Sequence, residues 1–351
     1  MKRIFQNLKG DKFIWAIVGL LAIFSFIPVY SASSNLAYLQ GDGSTFKYLL
    51  KHGAHLFLGF ILLYVIHKVP YRFFRGLSII MIPVVILPLL YTMSQAITFK
   101  ETLLPLWLPV FVILALILPA NFSTTAIVFA MVVVLVFLGG YPLKYLGVIL
   151  GIGLVMLTIF ILSAKAFPGV FPNRADTWIS RVENFTSDDD TDAYQIEKAK
   201  IAIATGGITG TGAGKSVQRN FLPQSSSDFI YAIIVEELGL IGAFGVMIAY
   251  LLLLFRLTIV ATKADSVFGK LVFIGVGLPI IFQALINMAV AVELFPVTGQ
   301  TLPLISSGGT SIWMTCLSLG IILSVSAKRE AIKQMESEES DNPLDILSEA
   351  I

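Results

Sequence analysis

The stretch that decides the fold is FIYAIIVEELGLIGAFGVMIAYLLLLF, residues 229–255, whose only charged side chains are Glu236 and Glu237. About 20 consecutive apolar residues cross the hydrocarbon core of a bilayer as a helix, so this run predicts a transmembrane helix. The whole chain is 56% hydrophobic and 13% charged, more apolar than one soluble core requires. Comparable apolar stretches predict nine spans, at 13–31, 48–66, 77–95, 102–119, 122–140, 143–164, 229–255, 269–292 and 306–327.

We therefore predict an all-α, polytopic transmembrane helix bundle of about nine spans with one large extracytoplasmic loop. Residues 1–327 form a single membrane domain, within which the polar segment 165–228 is that loop. The charged tail, 328–351, is expected to be disordered and cytoplasmic. A formal net charge of +2 gives no indication of nucleic-acid binding. The single cysteine, Cys316, excludes a disulfide within the chain and is interpreted as a packing residue.

The positive charges give two topologies that disagree near residue 96. Cationic residues favour cytoplasmic loops, so the basic N-terminus and the cluster after the second span are cytoplasmic. Counting back from Lys328 places 165–228 outside, but it also requires Lys100 to be cytoplasmic, one crossing short of the first count. Either 77–95 re-enters without spanning, or a helix is missing from this chain, or the count is wrong elsewhere.

The glycine-rich run GGITGTGAGKS, Gly206–Ser216, superficially suggests a phosphate-binding loop. The Walker spacing requires glycine five residues before Gly214, where this chain has Thr209, and no hydrophobic strand precedes the run. The run is therefore interpreted either as a plain turn or as a place where the backbone approaches a ligand or helix closely.

Three carboxylates lie immediately before or within the apolar run 229–255. Asp228 precedes the helix expected to begin at Phe229, where it fits either an N-cap or a half-buried general base. Glu236 and Glu237 lie within the helix, where carboxylates are costly and often functional. Their structural alternative is an interhelical hydrogen bond or a salt bridge, for example with Arg256. Both pairs of alternatives stay open at this stage.

Two further groups of polar residues adjoin predicted spans. The connection FPVTGQTLPLISSGGTS, Phe295–Ser311, is expected to be rigid and non-helical, and its hydroxyls either bind phosphate or sugar or cap a helix. Glu293, at the end of the preceding span, is treated like Glu236 and Glu237. His52 and His55 have the spacing of a metal-binding pair on a helix, but no third ligand is evident.

Several motifs in the C-terminal half resemble, in order and spacing, those of the SEDS family of shape, elongation, division and sporulation proteins. They are RVENF (181–185), DAYQ (192–195), GGITGTGAG (206–214), LPQSSSDFIYAIIVEELG (222–239) and TGQTLPLISSGGTS (298–311). The last of these is most similar to the division-type members of the family.

The resemblance implies a peptidoglycan glycosyltransferase in the bacterial cytoplasmic (inner) membrane. Its substrates would be lipid II and the nascent glycan, and its partners a class B penicillin-binding protein and other division proteins. The family's essential aspartate corresponds to Asp228, which would act as general base on the acceptor 4-hydroxyl. A carboxylate base needs no bound metal, so no cofactor is assigned, and a divalent cation, Mg²⁺ or Mn²⁺, beside the diphosphate is an open alternative.

The remaining site residues are predicted with the resemblance in mind. Substrate binding is predicted for five residues: Arg181, Gln195, Lys215, Ser306 and Ser307. A structural or coupling role is predicted for four: Glu236, Glu237, Gly308 and Gly309. No residue is predicted to bind a metal.

The chain departs from the family at one place. Family members cross the membrane ten times, and a segment that they carry after the position of Gln95 is missing here, which agrees with the charge count. This departure makes an inactive division scaffold an alternative function. A second alternative is a lipid II flippase or transporter, suggested by Glu236 and Glu237 within the membrane.

Overall fold

The computed structural model describes residues 8–39, 44–69, 99–119, 121–166, 191–222, 224–264 and 267–340. These residues contain helices and no strand, which confirms the all-α prediction. The helices are α1 (Lys12–Phe24), α2 (Phe26–Leu39), α3 (Thr45–Ile66), α4 (Phe99–Thr102), α5 (Leu108–Ile117), α6 (Phe122–Leu138), α7 (Leu143–Ala166), α8 (Thr191–Gly206), α9 (Ile230–Thr262), α10 (Val267–Ala291) and α11 (Gly309–Ser340). A π-helical turn, Leu103–Trp107, joins α4 to α5, and a 3₁₀ turn, Gln218–Asn220, precedes α9.

Six helical stretches in the described residues are long and apolar enough to cross a membrane. They are Lys12–Ser34, Thr45–Ile66, Leu143–Ser163, Ile230–Thr262, Gly269–Ala291 and Gly309–Ala327. The spans predicted at 102–119 and 122–140 correspond to the shorter apolar helices α5 and α6. The span predicted at 77–95, and with it the disagreement in topology, lies outside the described residues.

The last helix corrects one prediction. Residues 328–340, expected to be disordered, continue α11 as far as Ser340. This stretch, KREAIKQMESEES, consists largely of strong helix formers, and it follows directly from a transmembrane helix that has already nucleated the turn.

The buried apolar residues form two clusters. The larger cluster joins α1, α2, α3, α8, α9, α10 and α11, whereas a smaller one around Trp107 and Tyr141 joins α5, α6 and α7. In the larger cluster, α11 packs closely on α3. The contact is so close at Gly59 that an added Cβ there would lie 2.9 Å from the sulfur of Cys316. Cys316 is fully buried there, as its interpretation as a packing residue requires.

A partly buried ion pair connects the start of α1 to the C-terminal part of α9. Asp11 caps α1 by accepting hydrogen bonds from the amides of Phe13 (3.0 Å) and Ile14 (3.2 Å). The Nε of Arg256 donates to both Asp11 carboxylate oxygens at 2.9 and 2.8 Å. The suggested pairing of Arg256 with Glu236 or Glu237 is therefore wrong. The reason is distance, since Arg256 follows Glu237 by about 29 Å along the helix axis.

Candidate functional site

The helix α9 is broken near its start by Gly239, whose backbone angles are φ 66° and ψ −165°. A break frees backbone hydrogen-bonding groups, which need other partners within a membrane. The glycine-rich run after α8 supplies them, and we call this contact between residues 206–219 and 235–241 the glycine latch. Its backbone hydrogen bonds are Thr211 N to Glu236 O (2.9 Å), Gly212 N to Glu237 O (2.9 Å), Leu240 N to Gly207 O (2.9 Å) and Ile241 N to Ile208 O (3.3 Å).

The latch requires glycine at three positions where the two backbones touch. A Cβ added at Gly206 would lie 2.0 Å from the carbonyl oxygen of Val235, and one at Gly210 would lie 2.1 Å from that of Glu237. A Cβ added at Gly239 would lie 2.3 Å from the carbonyl oxygen of Ile208. Of the two roles left open for the glycine-rich run, the structure therefore shows the close approach to a helix.

The side chain of Glu236 is completely buried and serves as the acceptor of the latch. It accepts hydrogen bonds from the Ser216 hydroxyl, the amide of Val217 (2.8 Å) and the amide of Gln218 (3.2 Å). A buried polar group is stable when it is hydrogen-bonded, so these contacts account for a carboxyl group within the apolar helix.

Glu237 is buried beside it and connects the latch to α2. Its carboxylate accepts hydrogen bonds from the Ser31 hydroxyl and from the amide of Ser216 (3.3 Å). Arg219 completes the network, since its Nη1 donates to the Ser31 hydroxyl (2.7 Å) and to the carbonyl oxygen of Gly214 (2.9 Å). The geometry is that of an interhelical hydrogen-bond network, the structural alternative for these two residues.

Asp228 lies in the turn that leads into α9. The helix begins at Ile230 and its N-cap is Phe229, so Asp228 precedes the N-cap position by one residue. Its amide donates to the carbonyl oxygen of Gln224 (3.1 Å), and the residue is half-buried. A Cβ added at Gly299 would lie 3.7 Å from the Asp228 Oδ2 atom, so the carboxylate faces the connection between α10 and α11.

Side chains of α10 and of this connection hold the Asp228 turn by its backbone. Three consecutive carbonyl oxygens in the turn accept hydrogen bonds, and we call this arrangement the carbonyl clamp. The carbonyl oxygen of Ser226 accepts hydrogen bonds from the amide and the hydroxyl of Ser307, both at 3.0 Å. The carbonyl oxygen of Ser227 accepts one from the Ser306 hydroxyl (2.6 Å). The carbonyl oxygen of Asp228 accepts one from the Asn287 Nδ2 (2.7 Å). The hydroxyls of Ser306 and Ser307 are thus engaged with the turn, whereas their role in substrate binding stays a prediction.

The connection between α10 and α11 is itself strained and tightly held. Among the described residues, Glu293 (φ 60°) and Leu304 (φ 66°) are the non-glycine residues with positive φ, and both belong to it. Such conformations persist only where the surroundings enforce them, and they often mark functional sites. The Glu293 side chain also forms an ion pair with Lys200 of α8. The carboxylate at the end of this span therefore has a cationic partner at the surface.

The other predicted site residues make none of the hydrogen bonds of the carbonyl clamp. Lys215 is exposed in the latch, and Gln195 is half-buried on α8. Gly309 begins α11, where an added Cβ would lie 2.8 Å from the His55 ring, and Gly308 precedes it. Arg181 lies outside the described residues.

The histidine pair does not converge on a common site. The Nε2 of His52 lies 2.8 Å from the Ser25 hydroxyl, whereas the His55 ring packs edge-on against Trp313. In the part of the chain that the structure describes, no three His, Cys, Asp or Glu residues are grouped closely enough to hold a metal ion. The donor set thus gives no basis for assigning a metal site.

An apolar groove of about 230 Å³ lies next to the connection that Asp228 faces. It runs between α6 and α10 and reaches the connection at Pro296, Val297 and Thr298, immediately before Gly299. Its other walls are formed mainly by apolar residues of the two helices, including Phe122, Ile127, Met131, Phe282 and Ile286.

Comparison with known proteins identifies the family. The pattern of the cell cycle protein family that includes FtsW, RodA and SpoVE matches residues 94–331. The chain belongs to this family. The match confirms the resemblance to SEDS proteins, and with the six apolar spans it makes the chain a multi-pass membrane protein.

Several relatives are named as probable peptidoglycan glycosyltransferases FtsW. The protein of Thiomicrospira cyclica is 35% identical over 65% of this chain and 58% of its own length, and that of Xanthomonas oryzae is 32% identical over 68% and 49%. These two matches therefore span about half the length of the relatives. The protein of Nitrosomonas europaea is 27% identical over 90% of this chain and 92% of its own length.

Two solved structures share the fold of this family member. One comes from a study entitled "Structural coordination of polymerization and crosslinking by a peptidoglycan synthase complex", with a TM-score of 0.65 and 22% identity over 91% of this chain and 98% of that one. The other is the rod shape determining protein RodA of Thermus thermophilus, with a TM-score of 0.57 and 21% identity over 91% and 97%.

The alignments also bear on the missing segment. The alignment with the Nitrosomonas europaea relative is 365 residues long, whereas this chain has 351 residues, so that relative contains residues with no counterpart here. The location of the gap after Gln95 stays a prediction.

Proposed function

We propose that this chain is a peptidoglycan glycosyltransferase that polymerises lipid II at the outer face of the bacterial cytoplasmic membrane, with Asp228 as general base. The proposal extends to cell division as its setting and to a class B penicillin-binding protein as its partner. It is supported by the family, by the names of the relatives and by the placement of Asp228 where polar backbone meets an apolar helix.

The observation that carries the proposal is the carbonyl clamp. Its donors hold the backbone of the Asp228 turn, while the Asp228 carboxylate faces Gly299. A general base must be held within hydrogen-bond reach of the proton that it abstracts, so a turn fixed by its backbone suits the task.

In the proposed reaction, the Asp228 carboxylate accepts the proton of the acceptor sugar 4-hydroxyl. The resulting oxygen nucleophile attacks the anomeric carbon of the donor and forms the glycosidic bond. The bond between that carbon and the diphosphate breaks, and undecaprenyl diphosphate leaves with the electron pair. This step needs no redox cofactor, and none of its parts is assigned to a metal ion.

The apolar groove between α6 and α10 is a proposed site for part of the lipid chain of the substrate. Its lining includes Thr298, which precedes Gly299, so a substrate whose apolar chain occupies the groove could bring its polar group to the Asp228 carboxylate. Arg181, Gln195 and Lys215 remain proposed contacts for the diphosphate or glycan.

The flippase alternative loses its main support. It relied on Glu236 and Glu237 as charged groups facing a transport path, but both carboxylates are buried acceptors of the glycine latch. The scaffold alternative has a specific observation in its favour, because relatives contain residues that this chain lacks.

The test of the enzyme uses the purified chain together with its penicillin-binding partner and labelled lipid II. We expect glycan chains from the wild type and none from Asp228→Ala. Equal polymerisation by the two proteins would exclude Asp228 as the base. If neither polymerises, inserting the corresponding segment of a relative after Gln95 and regaining activity would favour the scaffold.

A further inference from the structure

Asn287 is a polar residue of α10 that belongs to none of the sequence motifs described above. It lies within an apolar helix and is only 1% exposed. Its Nδ2 donates to the carbonyl oxygen of Asp228 and to that of Gln300, each at 2.7 Å. Because both partners are acceptors, only the nitrogen of the amide can face them, and the orientation of the side chain is chemically determined.

These two hydrogen bonds join the two sides of the candidate site. Asp228 carries the proposed base, and Gln300 directly follows Gly299, which the Asp228 carboxylate faces. One buried amide group therefore fixes the residue that bears the carboxylate relative to the backbone opposite it. Ser306 and Ser307 act on the two preceding carbonyls only, so Asn287 is the member of the clamp that holds Asp228 itself.

We propose that Asn287 is a positioning residue for the Asp228 carboxylate, an inference that rests on the proposed function. Its Oδ1 is buried and has no hydrogen-bond partner among the described residues, so replacing the amide with an apolar group removes these two bonds and no others. Misplacing a reacting group by about 1 Å can cost about a hundredfold in rate. Turnover should therefore respond to Asn287 more strongly than substrate affinity or folding.

The same helix provides a matched control one turn earlier. Gln283 is another amide of α10, and its Nε2 donates to the carbonyl oxygen (3.0 Å) and hydroxyl (3.1 Å) of Thr301. It holds the same connection between α10 and α11 but makes no hydrogen bond to the Asp228 turn. Replacing either Gln283 or Asn287 would loosen the connection between α10 and α11. Only replacing Asn287 would also displace Asp228, the proposed general base.

The experiment measures initial rates of polymerisation against lipid II concentration for wild type, Asn287→Leu and Gln283→Met, each with the penicillin-binding partner. For Asn287→Leu we expect kcat to fall about 10- to 100-fold while KM stays within about twofold. For Gln283→Met we expect kcat within about threefold of wild type. Wild-type kcat in Asn287→Leu, or equal losses in both variants, would overturn the inference.

Two controls distinguish a displaced Asp228 carboxylate from misfolding of the variant and from failure of the proposed function. Thermal unfolding in detergent checks that each variant is folded, and Asn287→Ser replaces Asn287→Leu in the assay if the leucine variant is not recovered. The serine hydroxyl is one bond shorter and cannot reach both carbonyls, so the same loss of kcat is expected. Absence of polymerisation by wild type would overturn the proposed function together with this inference, whereas unchanged kcat in the variants would overturn the inference alone.

Discussion

In the glycine latch, two side-chain carboxylates accept hydrogen bonds from backbone amides and hydroxyls, whereas in the carbonyl clamp, side-chain donors act on backbone carbonyls. The first arrangement engages the carboxylates of Glu236 and Glu237 as hydrogen-bond acceptors. The second fixes the backbone of Asp228 and leaves its carboxylate directed at the facing connection. The comparison separates three carboxylates that are close in sequence into two structural residues and one candidate for chemistry.

The largest effect is expected from breaking the latch at Gly206. A Cβ at this position would lie 2.0 Å from the Val235 carbonyl oxygen, so one of the two backbones that the latch hydrogen bonds join would have to shift. Gly206→Ala should lower the free energy of unfolding by roughly 3 kcal/mol or more. Gly245→Ala is the matched control, because an added Cβ meets nothing within 4 Å. Thermal unfolding in detergent measures both, and equal stability would show that the latch is not a rigid contact.

A smaller effect is expected from removing the acceptor of the latch. Glu236→Ala leaves the Ser216 hydroxyl and the amides of Val217 and Gln218 without their partner. We expect a loss of about 2 to 3 kcal/mol in the free energy of unfolding. Glu197→Ala on α8, which removes an exposed carboxylate paired with Lys198, should change little. If Glu236→Ala instead abolished polymerisation in a protein of wild-type stability, Glu236 would belong to the chemistry.

The smallest effect is expected at a surface ion pair between α8, which leads into the latch, and the connection that carries part of the clamp. Lys200 of α8 pairs with Glu293 at the start of the connection, and both side chains are largely accessible, at 52% and 39%. Exposed ion pairs contribute little and are screened by salt. Lys200→Ala should change the free energy of unfolding by about 0.5 kcal/mol or less. A loss of several times this size, or one that does not weaken in high salt, would show that the pair couples latch and clamp.

Much of the fold follows from the sequence because long apolar runs leave few alternatives in a membrane. The run 229–255 lies within α9, yet its break at Gly239 was not predicted, since a glycine in an apolar run does not reveal which backbone will pack against it. The charged residues of 328–340 were expected to be disordered, although their helix propensity favours the continuation of α11.

The candidate site was predictable only in part. Asp228 was found because a polar loop changes to an apolar helix there, a local signal. Ser307 was assigned to substrate binding and Asn287 was missed, because these donors follow the residues they hold, Ser226 and Asp228, by 81 and 59 residues and meet them only in the folded chain. One signal was present, namely that Gln283 and Asn287 are amides four residues apart in an apolar helix, where polar side chains need partners.

The central claim is that Asp228 carries the chemistry while Glu237, nine residues later, carries structure. The most direct test compares Asp228→Asn with Glu237→Gln, measuring polymerisation of labelled lipid II and thermal unfolding on the same preparations. The account predicts that Asp228→Asn unfolds at the wild-type temperature but loses about a thousandfold in rate, whereas Glu237→Gln is less stable and still polymerises. Wild-type polymerisation by folded Asp228→Asn would contradict it.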